Sequence, residues 1–276
     1  MTGRRILYIS SELLPYTPET PISIASSQVP KVMQALGNDV RIFMPRYGLI
    51  NERKHQLHEV IRLSGMNLTI KDMDQPLIIK VASIPEVRLQ VYFIDNEEYF
   101  KRKGMYKDAT GRFFEDNDER ILFFTKGVME TVKKLNWSPD IVHVHGWLGA
   151  CIPLYLKTYY KGDPLFQKSR IITSLYNQDF EGYLSEELVK KIKWDGIKNK
   201  ALKQIELASF TNLTKLSIDF SDIAIKGEVN ISEEIEQYLQ ESPSTTLDYY
   251  PVEEIAEVYE QPYKESILEE ISVKIS

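Results

Sequence analysis

A single cysteine, Cys151, in 276 residues excludes an internal disulfide framework and fits a reducing, cytoplasmic setting. Glycine is scarce at 13, and no two glycines are adjacent. The glycine-rich phosphate loops are missing with them: there is no Walker A sequence and no GxGxxG. No GxSxG elbow or CxxC pair occurs either. No apolar run approaches the ~20 residues of a membrane span, so no membrane partner is expected. The start MTGRR leads straight into a strand pattern, without a leader-peptide pattern. The net charge of −6 is spread along the chain and suggests no nucleic-acid surface.

What remains is an alternation of buried-type strands and amphipathic helices. Arg5–Ser10 and Val40–Pro45 read as strands, with a helix from about Ser27 to Leu36 between them. Residues 65–94 carry three short β-rich runs, read as an insertion. A long helix is expected over Glu115–Leu135, with Ile121, Phe124, Val128 and Val132 on one face. Strands follow at Ile141–His145, Arg170–Tyr176 and Asp222–Lys226. Helices are expected at Trp147–Tyr160, Glu186–Lys193, Ile197–Leu213 and Ser232–Leu239. The pattern predicts an α/β fold, a Rossmann-like and mostly parallel sheet with helices on both faces. One domain is expected over residues 1–240. Residues 241–276 read as a linker, then an acidic helix from Val252 to Ile271 that packs back on the domain.

The segment HVHGW sits at the carboxyl end of a strand, where open α/β sheets face their ligands. Alternation puts His143 and His145 on one side. A site role for His145 and a satisfied strand histidine weigh about equally; His143 favours the second. His55, His58 and Glu59 have metal-like spacing but no third ligand nearby, so a solvated loop is favoured and no metal is expected. The acidic run Glu115 to Arg120 fits favourable charge at a helix N-terminus better than a cation site. Cys151 reads as a small buried residue, not a nucleophile.

Several segments together go further. ILYISSELLPY contains Ser11, Glu12 and Pro15 of an S-E-x-x-P turn. DVRIFMPRY, VYFIDNEEYFKRKGMYKD, DNDER, PDIVHVHGWLGACIPLYLK and YNQDFEG follow in order. These six segments resemble the N-terminal half of bacterial glycogen and starch synthases over roughly 230 residues. Those are GT-B glycosyltransferases that use a nucleotide-glucose donor. The resemblance implies α-1,4-glucan synthesis, no bound cofactor, and ligand contacts at His145, Trp147, Tyr176 and Asn177.

The departures from the family pattern are specific. Its first loop reads K-x-G-G-L-x-D, whereas this chain has PYTPETPISIAS. With Pro15 and Pro30 aligned, the lysine falls on Pro18, the glycines on Thr20 and Pro21, and the aspartate on Ile24. Gly146 replaces the aspartate of the family's H-D-W, and Tyr176 the histidine of its H-N loop. A charge-assisted contact contributes about 1.5–3 kcal/mol, so losing the lysine and both glycines should cripple the donor side. The family's second domain, which holds most donor contacts, does not fit in the residues after Ser232. Three readings stay open. One is a glucosyltransferase completed by a partner chain. The second is a non-catalytic module for a nucleotide-sugar or α-glucan. The third is an interaction protein using the face that a second domain would cover.

Overall fold

The computed structural model describes residues 3–84, 87–178 and 180–255. In chain order the first elements are β1 (Arg5–Ser10), α1 (Pro21–Ala35) and β2 (Asp39–Pro45). Then come β3 (His58–Glu59), β4 (Met66–Ile70), β5 (Met73–Ile84), β6 (Leu89–Asp95), α2 (Glu97–Phe100) and α3 (Asn117–Lys134). The remainder is β7 (Ile141–His145), α4 (Ile152–Lys157), β8 (Arg170–Leu175), α5 (Glu187–Trp194), α6 (Phe210–Asp219), β9 (Ile223–Lys226), α7 (Glu233–Glu241) and β10 (Thr245–Leu247).

The strands form one sheet in the order β10-β9-β8-β7-β1-β2-β6-β5-β3, with β4 paired to β5. From β10 to β6 every pairing is parallel. Right-handed crossovers then put α1 on one face and the helices leading towards β10 on the other. Strands buried on both faces need continuous apolar runs, and Ile6 to Ile9 are all fully buried. The β-rich stretch at 65–94 divides. Its last run, β6, is a parallel neighbour of β2, while β5 and β4 form an antiparallel extension.

Helix α1 starts at Pro21, six residues earlier than the sequence suggests. Thr20 caps it: its hydroxyl accepts from Ser23 N, and Ser23 Oγ accepts from Thr20 N. Pro21 occupies the first turn, where a missing N–H costs nothing. Two expected helices are broken. Trp147–Gly149 is a 3-10 turn ahead of α4, which carries Pro153 in its first turn. The stretch Ile197–Leu213 becomes a 3-10 turn over Lys200–Ile205 and then α6, restarted by Ser209, whose hydroxyl accepts from Asn212 N.

The stretch expected to be a linker contributes β10, parallel to β9. Beyond a 3-10 turn at Val252–Glu254, the expected last helix lies outside the described residues. The acidic run opens α3 as expected. Asp118 and Glu119 hold Lys191 at 2.6 and 2.7 Å, and Asp116 pairs with Arg102.

Candidate functional site

The direction of chain progression reverses between β1 and β7, and ligands of open α/β sheets bind outside such a point. The floor there is built from the residues that leave β1. Ser10 Oγ shares a 2.7 Å hydrogen bond with Ser26 Oγ of α1, tying strand end to helix. Glu12 follows, only 1% exposed. Thr20 Oγ1 donates to its Oε2 at 2.5 Å, Tyr106 OH donates to Oε1 at 3.2 Å, and Gln178 Nε2 donates to Oε1. Burial raises the Glu12 carboxyl above its ordinary range, and these three donors pull it back.

Both strand histidines are buried beside this floor. His143 Nε2 bonds Ser174 Oγ at 2.8 Å, and its ring lies 4.2 Å from that of His145. His145 Nδ1 bonds Tyr176 OH at 2.8 Å. Burial pushes the His145 imidazole down to about 3, so it is neutral near pH 7. Among the described residues its Nε2 has no hydrogen-bond partner, and neither do the buried Ser11 Oγ and Gln178 Oε1.

Gly146 explains one departure. Its φ is +83°, and a Cβ placed there would fall 2.0 Å from Ser11 Oγ. The left-handed backbone at this position favours glycine, and a side chain there would require the Ser11 hydroxyl to move aside. Gly227 explains another: a Cβ there would lie 2.3 Å from the Tyr176 ring. The tyrosine at the H-N position occupies the space that a side chain on residue 227 would need.

Two hollows flank the loop that leaves β8. The first, about 240 Å³, is lined by Tyr106, Lys107, Phe113, Trp147, Gln178 and Phe180. Its rings form a cluster, with Trp147 5.0 Å from Tyr106 and from Phe180, and Phe113 stacked 4.9 Å from Phe180. The second, about 400 Å³, includes Pro21, Ile24, Tyr176, Glu228 and Tyr250.

The expected site residues thus divide. Trp147 lines the smaller hollow and Tyr176 the larger one, while His145 lies buried behind Tyr176 and lines neither. Asn177 is exposed on its rim, its backbone N–H donating to Glu228. Pro21 and Ile24 form an apolar wall, Thr20 caps α1 and binds Glu12, and Pro18 is exposed and lines neither hollow. Sequence reasoning left out Tyr106, Gln178, Phe113 and Phe180, and gave Glu12 no role in the site. The available signal for Glu12 was a carboxylate directly after a fully buried strand. Among the described residues no cluster of potential metal ligands exists. Cys151 is fully buried, its thiol pushed up to about 12 by burial. His55 packs edge-on against Tyr16, and His58 is exposed.

The family model for the starch synthase catalytic domain matches residues 5–244. A glycogen synthase of Chlorobium limicola is 35% identical over 189 residues, which are 68% of this chain and 39% of that protein. One from Chlorobium phaeovibrioides is 32% identical over 232 residues, covering 84% and 47%. The chain therefore spans less than half the length of these relatives. Among solved structures, the catalytic domain of starch synthase IV from Arabidopsis thaliana, bound to ADP and acarbose, superposes with a TM-score of 0.70. That match has 17% identity, covers 89% of this chain and 51% of the other, and shows the shared fold. The sheet order, the crevice and these matches agree that this chain belongs to the starch synthase catalytic domain family.

Proposed function

We propose that this domain works in glycogen or starch metabolism as a glucosyltransferase-type module. Its crevice takes a neutral α-glucan in preference to a nucleotide-glucose donor. The charge at the crevice floor carries this reading. The donor's diphosphate needs cations or free N–H groups. Here the ionisable groups buried beneath the floor are the Glu12 carboxyl and the neutral His145, and Lys107 lines the smaller hollow from its exposed rim, too far out to replace a phosphate-binding loop at the start of α1. The start of α1 is sealed by its own capping box and by Pro21, which has no N–H. Lys226, at the edge of the larger hollow, is already held by Glu236 and Asp248 at 2.8 and 3.2 Å.

A glucan asks for different groups. Sugar rings lie flat on aromatic faces and have hydroxyls read by amides and carboxylates. The hollow beside Trp147 offers Phe113, Phe180 and Tyr106 as walls, with Gln178 at its polar end. Glucosyl transfer from a nucleotide-glucose would then need donor-binding groups beyond these 276 residues.

Calorimetric titration with a malto-oligosaccharide, ADP-glucose and UDP-glucose tests this. The expected result is saccharide binding with no measurable heat from either nucleotide sugar. Glucose transfer by the purified chain, or tighter binding of a nucleotide sugar than of the glucan, would refute it.

A further inference from the structure

The acidic net charge hides a basic stretch on the far side of the chain from β1 in sequence. Residues 190–203, KKIKWDGIKNKALK, hold six lysines and one acid, Asp195. The structure removes two of these charges from the surface. Lys191 is buried against Asp118 and Glu119, and Asp195 is held by Lys126 and by Tyr155 OH. Lys190 pairs with Glu187. Lys193, Lys198, Lys200 and Lys203 are exposed and make no ion pair among the described residues. The exposed acids nearest in sequence, Glu186 and Glu206, flank the stretch without pairing to it.

An exposed tryptophan stands among these lysines. Trp194 is 63% exposed, whereas Trp137 and Trp147 are buried. Lys190, Lys193 and Trp194 share one face of α5 by their i, i+3, i+4 spacing. Lys200 and Lys203, three apart in a 3-10 turn, share one face of that turn. None of these residues lines either crevice hollow. They sit on outward faces whose opposite sides, Leu188, Ile192, Leu202 and Ile205, are buried.

We infer that this surface docks peripherally on an anionic lipid surface. Charge complementarity and the exposed tryptophan carry the inference. Exposed lysines on outward helical faces meet a deformable anionic surface without needing a matching pocket. An exposed tryptophan on the same helix face as Lys190 and Lys193 suits the headgroup region, where the ring is buried and its N–H stays wet. Salt restricts the attraction to contact range, about 8 Å at physiological ionic strength, so the acidic remainder of the protein does not cancel it. Each lysine near such a surface contributes roughly fivefold in affinity. The expected absence of a membrane partner rested on the lack of a spanning run, which this mode does not need.

Vesicles of phosphatidylcholine, with and without phosphatidylserine, provide the test with the full chain. Co-sedimentation should require phosphatidylserine and fade with added salt, and tryptophan emission should shift to the blue. Trp194→Phe should abolish the emission shift. Lys193→Glu with Lys200→Glu should weaken binding by at least about tenfold, with an unchanged circular dichroism spectrum and melting temperature. Absence of phosphatidylserine-dependent binding at low salt would overturn the inference. So would binding that the lysine reversals leave intact, or binding of RNA or polyglutamate with none to vesicles.

Discussion

Thr20 and Glu12, eight residues apart, are joined by a 2.5 Å hydrogen bond from hydroxyl to carboxylate. Thr20 also accepts from Ser23 N, so one side chain closes the helix start and orients the buried acid. Thr20→Ala should cost about 1–2 kcal/mol through the lost cap alone. For a domain of this size that lowers the melting temperature by roughly 2–8 °C. Thr20→Ser, which keeps the hydroxyl, should restore most of it. Thermal melts followed by circular dichroism decide the point.

Gly146 predicts a coupled pair. Gly146→Ala should destabilise by at least ~1–2 kcal/mol, because a left-handed residue acquires a Cβ. The contact with Ser11 Oγ adds to this. Combining it with Ser11→Gly should recover the contact part and leave the backbone part, giving a double mutant less destabilised than the sum. Simple additivity in urea melts would mean that Ser11 turns aside without cost.

The buried histidines set an acid limit. An unfolded histidine binds its proton near pH 6.5, whereas folded His145 does so only near 3. The unfolded state therefore holds more protons across that window, and stability falls as pH drops from about 6.5 towards 3. By pH 5, His145 alone should have cost about 2 kcal/mol. His143, depressed in the same direction by burial and by His145, adds to the fall. Urea melts of His145→Gln should show a shallower decline over this range than the parent.

Glu12 acts with the opposite sign. Burial raises its folded carboxyl above the ordinary value of 4.5, so the native state holds the extra proton just above that pH. Stability is lost as pH rises from the unfolded value through the raised folded one. Glu12→Gln should flatten that part of the curve, with urea melts above pH 4.5 as the readout.

Phe113→Ala should weaken malto-oligosaccharide binding by about tenfold, the worth of one stacked ring at roughly 1–1.5 kcal/mol. Tyr249→Ala, in the other hollow, should leave it unchanged. Equal losses from both would move the glucan to a different place.

Much of the sheet was legible because parallel buried strands leave continuous apolar runs, as in ILYIS and IVHVH. The place of β6 was not, since RLQVYFI reads alike as a hairpin strand or as a neighbour of β2. The start of α1 was hidden because Pro21 and Thr20 look like loop residues until the Thr20–Ser23 exchange is seen. In the site, His145 was singled out by its position at a strand end, whereas Trp147, Tyr176 and Asn177 came only from the family resemblance. Tyr106 and Phe113 arrive from a loop about 30 residues ahead of β7, and only the closed fold puts them beside Trp147 and Gln178. Spacing along the chain carries no signal for such a meeting.

Among the described residues the strand order ends in two very short strands, the three residues of β10 and the two of β3. A neighbouring molecule trying to extend the sheet would find few open backbone groups at either end. On the β5 side, Val60 N, Gly65 N and Ser64 Oγ already bond the outer positions at Ile79 and Leu77. The short margins thus act as protection against edge-to-edge aggregation, and a sheet of ten strands stays finite.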